Sequence, residues 1–284
     1  MFTASCLPPG TPDNQWSYCP SVALALVFAI LFLATTITHF VQAIRHRSLF
    51  CMVIITGALW ETAAYAFRIL SAKNPTHKAS YDASFLLVLL APICINAFDY
   101  MITSRILKTF LPQEHVLGLK GSILGKLSFI VQIGGGLLSL SKTASTARRG
   151  LHIVTAGVIF QELLIIYFFF LTLRLIHKLK QVLPANATYR RTRLQINAVQ
   201  LSLLLIAYRI VYRIVQFTAA EGSARATYID GHEWLVYVFD AGPMFLALLV
   251  MNIWHPGKIV KMGNMKENYY ALPIVTRQNA GLVY

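Results

Sequence analysis

Val22–Val41, VALALVFAILFLATTITHFV, is a stretch of twenty residues without Asp, Glu, Lys or Arg. A helix of about 20 residues crosses the hydrocarbon core of a bilayer, whereas buried strands run to about 4–8 residues. This stretch therefore predicts a membrane-spanning helix. Six further stretches of similar length and composition follow it: Phe50–Ser71, Ser84–Ile106, Ser122–Ser141, His152–Leu173, Ile196–Ala219 and Trp234–Trp254.

The composition of the whole chain agrees with seven spans. Of its 284 residues, 56% are apolar and 13% are charged, and the mean hydropathy is +0.59. Soluble domains carry about 25% charged residues, so this chain has too few charges to cover a soluble surface. We predict an all-α integral membrane protein, built as a bundle of seven transmembrane helices.

The net charge of +14 predicts the orientation of this bundle. Fourteen Lys and Arg lie in the loops after spans 1, 3 and 5 and in the C-terminal segment, against six on the other side. Cytoplasmic loops collect positive charge, so the N-terminus is expected outside and the C-terminus in the cytosol. The predicted organisation is an extracellular segment (1–21), a seven-helix membrane domain (22–254) and a cytoplasmic tail (255–284). Basic runs are not interleaved with stacking aromatics, so no nucleic acid partner is expected.

The four cysteines allow one disulfide on the oxidising side of the membrane. Cys6 and Cys19 both lie in the segment predicted to be extracellular, and they can pair, although their spacing does not settle whether they do. No Cys and His cluster has the spacing of a zinc site, and neither a metal nor a cofactor is expected.

Ionisable residues inside the predicted spans point to function. Each costs about 2.5–3.5 kcal/mol at the centre of a membrane helix, so such residues face the bundle interior and find partners. The acids are Glu61, Asp99, Glu162 and Asp240, and the arginines deepest in spans are Arg68, Arg209 and Arg213. Spans 2, 6 and 7 therefore carry a layer of mixed charge.

Three helix faces combine charged with hydrogen-bonding side chains at positions i, i+4 and i+7. They are Glu61, Tyr65 and Arg68 on span 2, Arg209, Arg213 and Gln216 on span 6, and Glu233, Tyr237 and Asp240 on span 7. Arginine and acid can pair to lock the helices, or they can line a polar cavity for the head group of an amphipathic ligand, and both can hold together. Gln132 and Gln161 add polar groups on spans 4 and 5. The predicted substrate-binding residues are Glu61, Tyr65, Arg68, Gln132, Gln161, Arg209, Arg213, Tyr237 and Asp240. We expect Arg68 to pair with Glu61 on its own helix or with Asp240 on span 7.

Several of these residues stand in motifs that resemble the fungal RTA-like lipid-translocating exporters, seven-span proteins named for resistance to aminocholesterol. The most specific match is His232-Glu-Trp-Leu-Val-Tyr-Val-Phe-Asp240 in span 7, between Arg213-Ile-Val-Gln216 and His255-Pro-Gly257. Supporting matches are Tyr18-x-Pro20-Ser21, Glu61-x-x-x-Tyr65-x-x-Arg68, Ala91-Pro92, Tyr100, Arg105, Gln132, Gly157, Gln161 and Pro243-Met244.

The resemblance implies a plasma-membrane translocator or exporter of amphipathic lipids, such as sphingoid-base or sterol-like molecules, linked to lipid stress or toxin resistance. Two acids of the family pattern are replaced here, by Gly125 and Gln216, and Asp99 is additional to it. The ligand can therefore differ from a sphingoid base. The expected partners are membrane lipids and an amphipathic small molecule, and the oligomeric state is open.

Two other functions stay open at this point. Fungal seven-span terpene cyclases use a Glu and Asp pair in the membrane, and Glu61 and Asp240 would be the catalytic acids of such an enzyme. Nearby arginines oppose that role, because a cation weakens a carboxyl as an acid. A receptor or sensor is the other alternative, and it rests on the seven-helix architecture alone. The lipid-translocating interpretation assigns no catalytic residue.

Overall fold

The computed structural model describes residues 6–8, 11–110, 121–141, 143–182, 187–220 and 222–257, with the side chains of 121–129, 144, 182 and 187 excepted. Residues 258–284, most of the predicted tail, lie outside the described part. The described part is helical throughout and contains no strand. Its α-helices are α1 (Val22–His46), α2 (Met52–Lys73), α3 (Lys78–Phe110), α4 (Gly121–Ser139), α5 (Ala144–Val182), α6 (Ala187–Phe217), α7 (Ala224–Gly231), α8 (Trp234–Val236) and α9 (Gly242–Ile253).

Six helical segments are long and apolar enough to cross a membrane. Each contains one of the predicted spans completely or to within two residues. They are Val22–His46, Leu49–Lys73, Lys78–Phe110, Ser145–Gln181, Thr188–Phe217 and Trp234–Ile253. The predicted fourth span, Ser122–Ser141, coincides with α4, of which Ile130–Ser139 is apolar within the described side chains. The chain is thus an integral membrane helical bundle.

The helices pack in chain order around the bundle. Each of α1 to α5 contacts the next helix in the chain, α6 contacts α9, and α9 contacts α1, so the bundle closes on itself. The third helix also reaches α5 and α6. On α1, the apolar side chains that stay exposed recur every three or four residues and form a lipid-facing stripe: Val27, Ile30, Leu33, Ile37, Val41 and Ile44.

Two glycines allow the helices to approach closely. A Cβ on Gly57 of α2 would lie 2.9 Å from Ile95 Cγ1 and 3.1 Å from the Ala91 carbonyl oxygen of α3. A Cβ on Gly135 of α4 would lie 2.8 Å from the Val154 nitrogen of α5. Small residues at such contacts let membrane helices pack backbone to backbone.

The segment before α1 packs on one end of the bundle, which we call the capped end. Gln15 donates its backbone N–H to the Pro75 carbonyl between α2 and α3, and the Trp16 indole N–H donates to Ser71 Oγ at 3.0 Å. Ser21 caps α1 by accepting from the Leu24 amide. The opposite end, where α1 and α9 finish, is called the far end below.

A π-helical turn, Tyr237–Ala241, joins α8 to α9. Its backbone bond runs from the Gly242 N–H to the Tyr237 carbonyl, five residues back. Pro243 follows directly and has no N–H to offer, which removes an α-helical bond at this point. Turns of this kind are rare and frequent at functional sites.

Candidate functional site

Arg68 lies near the capped end, inside a cluster of polar and aromatic side chains. Its Nη2 is 3.1 Å from Glu233 Oε1 and donates to the Tyr18 hydroxyl at 2.8 Å, while its Nε donates to the Tyr237 hydroxyl at 3.2 Å. The guanidinium carbon lies 4.7 Å from the centre of the Trp16 ring. We call these five residues the Arg68 cluster. Charge-assisted bonds and a cation–π contact together balance its buried charge.

The N-terminal segment closes the capped end over this cluster. The structure links Cys6 to Cys19 by a disulfide, with the Cα atoms 5.1 Å apart. The Ser21 amide donates to Glu233 Oε2 at 2.8 Å, and Ser17 Oγ donates to the Asp230 carbonyl. Burial raises the pKa of the Tyr18 hydroxyl, and the Arg68 guanidinium opposes that rise. The phenol is therefore neutral at physiological pH and accepts from Arg68 as a hydroxyl.

Deeper in the bundle, Asp240 sits between two arginines of α6. Asp240 Oδ1 is 2.5 Å from Arg209 Nε, and Asp240 Oδ2 is 2.5 Å from Arg213 Nη2. All three side chains are buried. Arg213 also donates to Gln216 Oε1 at 3.0 Å. We call Arg209, Asp240 and Arg213 the arginine clamp. The clamp carries one positive charge more than its single carboxylate neutralises.

A proline in α3 supplies the clamp with a further acceptor. Pro92 has no N–H, so the Val88 carbonyl, four residues earlier, lacks its α-helical donor. Arg209 Nη2 donates to this carbonyl at 2.8 Å. In the membrane interior an unsatisfied carbonyl is costly, and a neighbouring helix satisfies it here.

The π-helical turn separates residues that an uninterrupted α-helix would place on one face. Glu233 and Tyr237 turn to Arg68, whereas Asp240 turns to the clamp. The expected pairing of Arg68 with Glu61 or Asp240 is therefore wrong: its acid is Glu233. Asp240 is unavailable because it already holds two guanidinium groups.

Glu61 differs from the other two acids. It is 1% exposed, its Oε1 has no hydrogen-bond partner, and none of the ion pairs found in the described part of the chain includes it. Arg209, Asp240 and Arg213 lie within electrostatic range. Burying a carboxylate without a partner costs free energy unless a cationic ligand or a proton neutralises its charge.

Aromatic rings line the same part of the bundle, one helical turn from Glu61. The Tyr65 ring stacks on Phe28 and Phe32 of α1, with centroids 5.7 and 5.4 Å away. Phe28 also stacks on Tyr237 at 5.2 Å. A carboxylate close to aromatic rings is typical of the surroundings in which proteins bind ammonium groups.

The two predicted glutamines lie together, between α4 and α5. Gln132 Nε2 donates to Gln161 Oε1 at 2.5 Å, and both side chains are buried. The structure thus groups the predicted site residues into the Arg68 cluster, the clamp, Glu61 with Tyr65, and this glutamine pair.

Sequence reasoning left three residues of the Arg68 cluster outside the predicted site: Trp16, Tyr18 and Glu233. Each precedes a span, where aromatic and acidic residues are ordinary. The available signal was that Glu233 and Tyr237 are spaced four residues apart and so share a helical face. Among the described residues, no group of three His, Cys, Asp or Glu is arranged to hold a metal ion.

Comparisons with known proteins agree with the resemblance seen in the motifs. The family model described as "RTA1 like protein" matches residues 54–263. A probable lipid transporter, atnI, of Emericella nidulans is 35% identical over 275 residues, covering 89% of this chain and 70% of that protein. Protoporphyrin uptake protein 1 of Saccharomyces cerevisiae is 30% identical, covering 84% of this chain and 90% of its own length.

A more distant relative carries a similar name. The lipid-translocating exporter-like protein RTA1 of Leptosphaeria maculans is 26% identical, covering 86% of this chain and 51% of that protein. No solved structure matches the chain at a significant level.

Proposed function

We propose that this chain, which belongs to the RTA1-like protein family, translocates an amphipathic lipid with an amine-bearing head group across the plasma membrane. Sphingoid-base and amine-bearing sterol-like lipids fit this description. The relatives named as lipid transporter and lipid-translocating exporter support the lipid class. The observation that carries the amine is Glu61, a buried carboxyl with an unpartnered oxygen beside a wall of aromatic rings.

The arrangement of charges supports an amine rather than an anion as the group that enters. Arg68 already holds Glu233, and Arg209 and Arg213 share Asp240. An anionic ligand would compete with these acids for the arginines, whereas an ammonium group would meet the unpartnered oxygen of Glu61 once the helices around it move apart. This favours an amine over a dicarboxylate such as the protoporphyrin named for the yeast relative.

The proposal includes seven spans, with α4 as the fourth, and an outside N-terminus. The Lys and Arg bias of fourteen to six supports this orientation. The disulfide between Cys6 and Cys19 supports it too, because disulfides persist on the oxidising side of a membrane. The capped end would then face outside, with the Arg68 cluster at the outer mouth and Glu61 deeper.

The clamp geometry counts against the enzyme alternative. A carboxylate that neutralises two guanidinium groups is not available to donate a proton to an isoprenoid. Asp240 is in this position, with both oxygens at 2.5 Å from an arginine nitrogen. Of the two acids that a cyclase would require, Glu61 and Asp240, the second is therefore not available as a proton donor.

Lipid movement in vesicles tests the proposal. Purified protein is reconstituted into liposomes, and the transbilayer movement of a fluorescent sphingoid-base analogue is compared with that of its N-acylated, uncharged counterpart. We expect the wild type to move the amine faster. Glu61→Gln keeps the shape of the side chain, and we expect it to slow the amine at least about tenfold, as befits the loss of a charge-assisted contact. Asp82→Asn, which removes a half-exposed partner of Lys78 on α3, serves as the matched control.

The double variant Glu61→Gln with Arg209→Gln separates ligand binding from helix locking. It leaves Arg213 with Asp240 and Arg68 with Glu233, one acid for each arginine, so the folded protein is expected to remain stable. If the carboxylate binds the amine, amine movement stays lost in this variant. A stable double variant that moves the amine at the wild-type rate would refute the assignment of Glu61.

A further inference from the structure

A second buried carboxyl lies closer to the far end, apart from the site described above. Asp99 of α3 is 0% exposed. Its Oδ2 accepts a hydrogen bond from Ser202 Oγ of α6 at 2.6 Å, and its Oδ1 has no partner. None of the ion pairs found in the described residues includes Asp99. A carboxylate without a cation is strongly disfavoured inside a membrane protein, so this group requires one positive charge.

The packing around Asp99 restricts which cation can supply that charge. Asp99 and Ser202 are both 0% exposed, while Asn96 and Tyr100 are 2% and 3% exposed. A water-sized sphere does not reach the carboxyl, so a hydrated metal ion has no room beside it. A proton needs no such room. Asn96, one helical turn earlier, is also buried and uncharged, and neither its amide nitrogen nor its amide oxygen has a hydrogen-bond partner.

Among the described side chains, the helices packed against α3 bring no counter-charge to this site. The fifth helix contributes Phe168, stacked on Tyr100 at 3.9 Å, and Glu162, a second acid within electrostatic range of Tyr100. The turn before α2 contributes Phe50, which stacks on Phe98 of α3.

The other described side chains close to Asp99 are uncharged. The second helix meets α3 at Gly57, beside Ile95, one helical turn from Asp99. Lys126 of α4 is outside the described side chains. The sixth helix contributes Ser202, and its next charge is Arg209, about 10 Å further along the helix and already paired with Asp240.

One face of α6 connects Asp99 with the arginine clamp. Polar residues recur every seven positions along it and are buried or half-buried: Gln195, Ser202, Arg209 and Gln216. A spacing of seven keeps side chains on nearly the same face, since two helical turns take 7.2 residues. Ser202 contacts Asp99, and Arg209 contacts Asp240. A change at Asp99 therefore acts on the helix that holds the clamp.

We propose that Asp99 binds a single proton between α3 and α6, and that this proton couples lipid movement to a pH gradient. The binding of the proton stands on the geometry of Asp99 alone, while the coupling rests on the function proposed above. The chain would then use two buried carboxyls differently, with Glu61 meeting the lipid and Asp99 holding the proton.

Infrared spectroscopy of the purified full-length chain tests proton binding without any transport. A protonated carboxyl has a carbonyl-stretch band separate from the amide bands. We expect this band at neutral pH in the wild type, the loss of one component of it in Asp99→Asn while any contribution from Glu61 remains, and no change in Asp82→Asn, which changes a half-exposed carboxyl of the same helix. An unchanged band in Asp99→Asn would overturn the proposal. A band that disappears on adding sodium chloride at constant pH would also overturn it, because the site would then take a metal ion.

A second variant covers the case in which Asp99→Asn does not fold. Ser202→Ala keeps the carboxyl and removes its hydrogen-bond donor. We expect the carbonyl band to persist and to shift in frequency, because a hydrogen bond to the group has been lost. A band at the wild-type frequency in Ser202→Ala would show that it belongs to another carboxyl, and the assignment to Asp99 would be wrong.

Transport in proteoliposomes tests the coupling. We expect an imposed pH gradient to change the rate of amine-lipid movement several-fold in the wild type and in Asp82→Asn, and to leave the rate in Asp99→Asn unchanged. An equal response in Asp99→Asn would overturn the coupling. A wild type that moves no lipid would remove both the coupling and the proposed function, while the infrared result would still decide whether Asp99 binds a proton.

Discussion

Apart from Glu61, the half of the bundle near the capped end and the half near the far end treat buried charge in opposite ways. Near the capped end, Arg68 has Glu233, and Arg209 and Arg213 hold Asp240 between them. Toward the far end, Asp99 has one serine donor and no cation among its described neighbours. Charges that have counter-charges fix helices to one another. A titratable group without a counter-charge has no partner that stabilises its ionised form, so it can gain or lose a proton more easily.

The largest effect is expected where the matched half is broken. Asp240→Asn leaves the guanidinium groups of Arg209 and Arg213 without a carboxylate, deep in the bundle. Breaking a buried pair in this way typically costs about 3–5 kcal/mol of stability. Thermal and denaturant unfolding in detergent should show this loss. Asp82→Asn, which breaks a half-exposed pair with Lys78 at 4.0 Å, should cost at most about 1 kcal/mol. Equal losses in the two variants would show that burial does not set the difference.

The same substitution in the unmatched half should have a much smaller effect. Asp99→Asn replaces a carboxyl that carries a proton by an uncharged amide of the same shape, and the amide oxygen can still accept from Ser202. We expect the free energy of unfolding to change by less than about 1 kcal/mol at neutral pH, close to the worth of one ordinary hydrogen bond. A loss as large as that of Asp240→Asn would mean that Asp99 is an ionised partner in a pair.

The smallest effect concerns acid. His255, just beyond α9 at the far end, stacks on His46 at 5.1 Å and lies 3.5 Å from Cys51 Sγ. Burial, reinforced by His46, lowers the pKa of His255 to about 4, whereas a histidine in an unfolded chain has a pKa of about 6.5. Between these values the unfolded chain takes up a proton that the folded chain does not, so stability falls as the pH drops from about 6.5 to about 4.

Thermal unfolding across that pH range checks this expectation. The midpoint should fall on acidification in the wild type and fall less in His255→Gln, which cannot take up the proton. A parallel fall in both proteins would place the acid sensitivity elsewhere in the chain.

The membrane helices could be predicted from the sequence because hydrophobic length is a local property. Val22–Val41 crosses a bilayer whatever its neighbours are, and the helix that contains it begins at Val22. The faces of α2 and α6 were also predictable from spacing. Glu61, Tyr65 and Arg68 are buried together on one helix, and Arg209 and Arg213 on another.

Pairings between helices could not be predicted in the same way. Depth and spacing suggested Asp240 as an acid for Arg68, but the π-helical turn rotates Asp240 toward α6 and leaves Glu233 for Arg68. A proline inside a span predicts a disturbed helix without predicting the direction in which it turns. The Val88 carbonyl is a similar case. Pro92 indicates that it is unsatisfied, but only the packed bundle shows that Arg209 is its donor.

The contribution of the N-terminal segment also depends on packing. Trp16 and Tyr18 lie in a stretch that has no helical period, so no face can be assigned to them from spacing. They reach Arg68 because backbone bonds at Gln15 and Ser21 hold the segment across the capped end. Hydrogen bonds of this kind have no signature in composition.

The π-helical turn at Tyr237–Ala241 also bears on how this span can change in length. A π-helical turn holds one residue more than an α-helical turn, so deleting one residue there would let the flanks close into a continuous α-helix with their orientations nearly kept. A deletion within α9 would instead rotate every later residue by about 100° and carry buried side chains such as Met251 toward lipid. The turn is thus the one place identified in Trp234–Ile253 where evolution or an engineer can remove a residue and leave both ends of the helix in register with their neighbours.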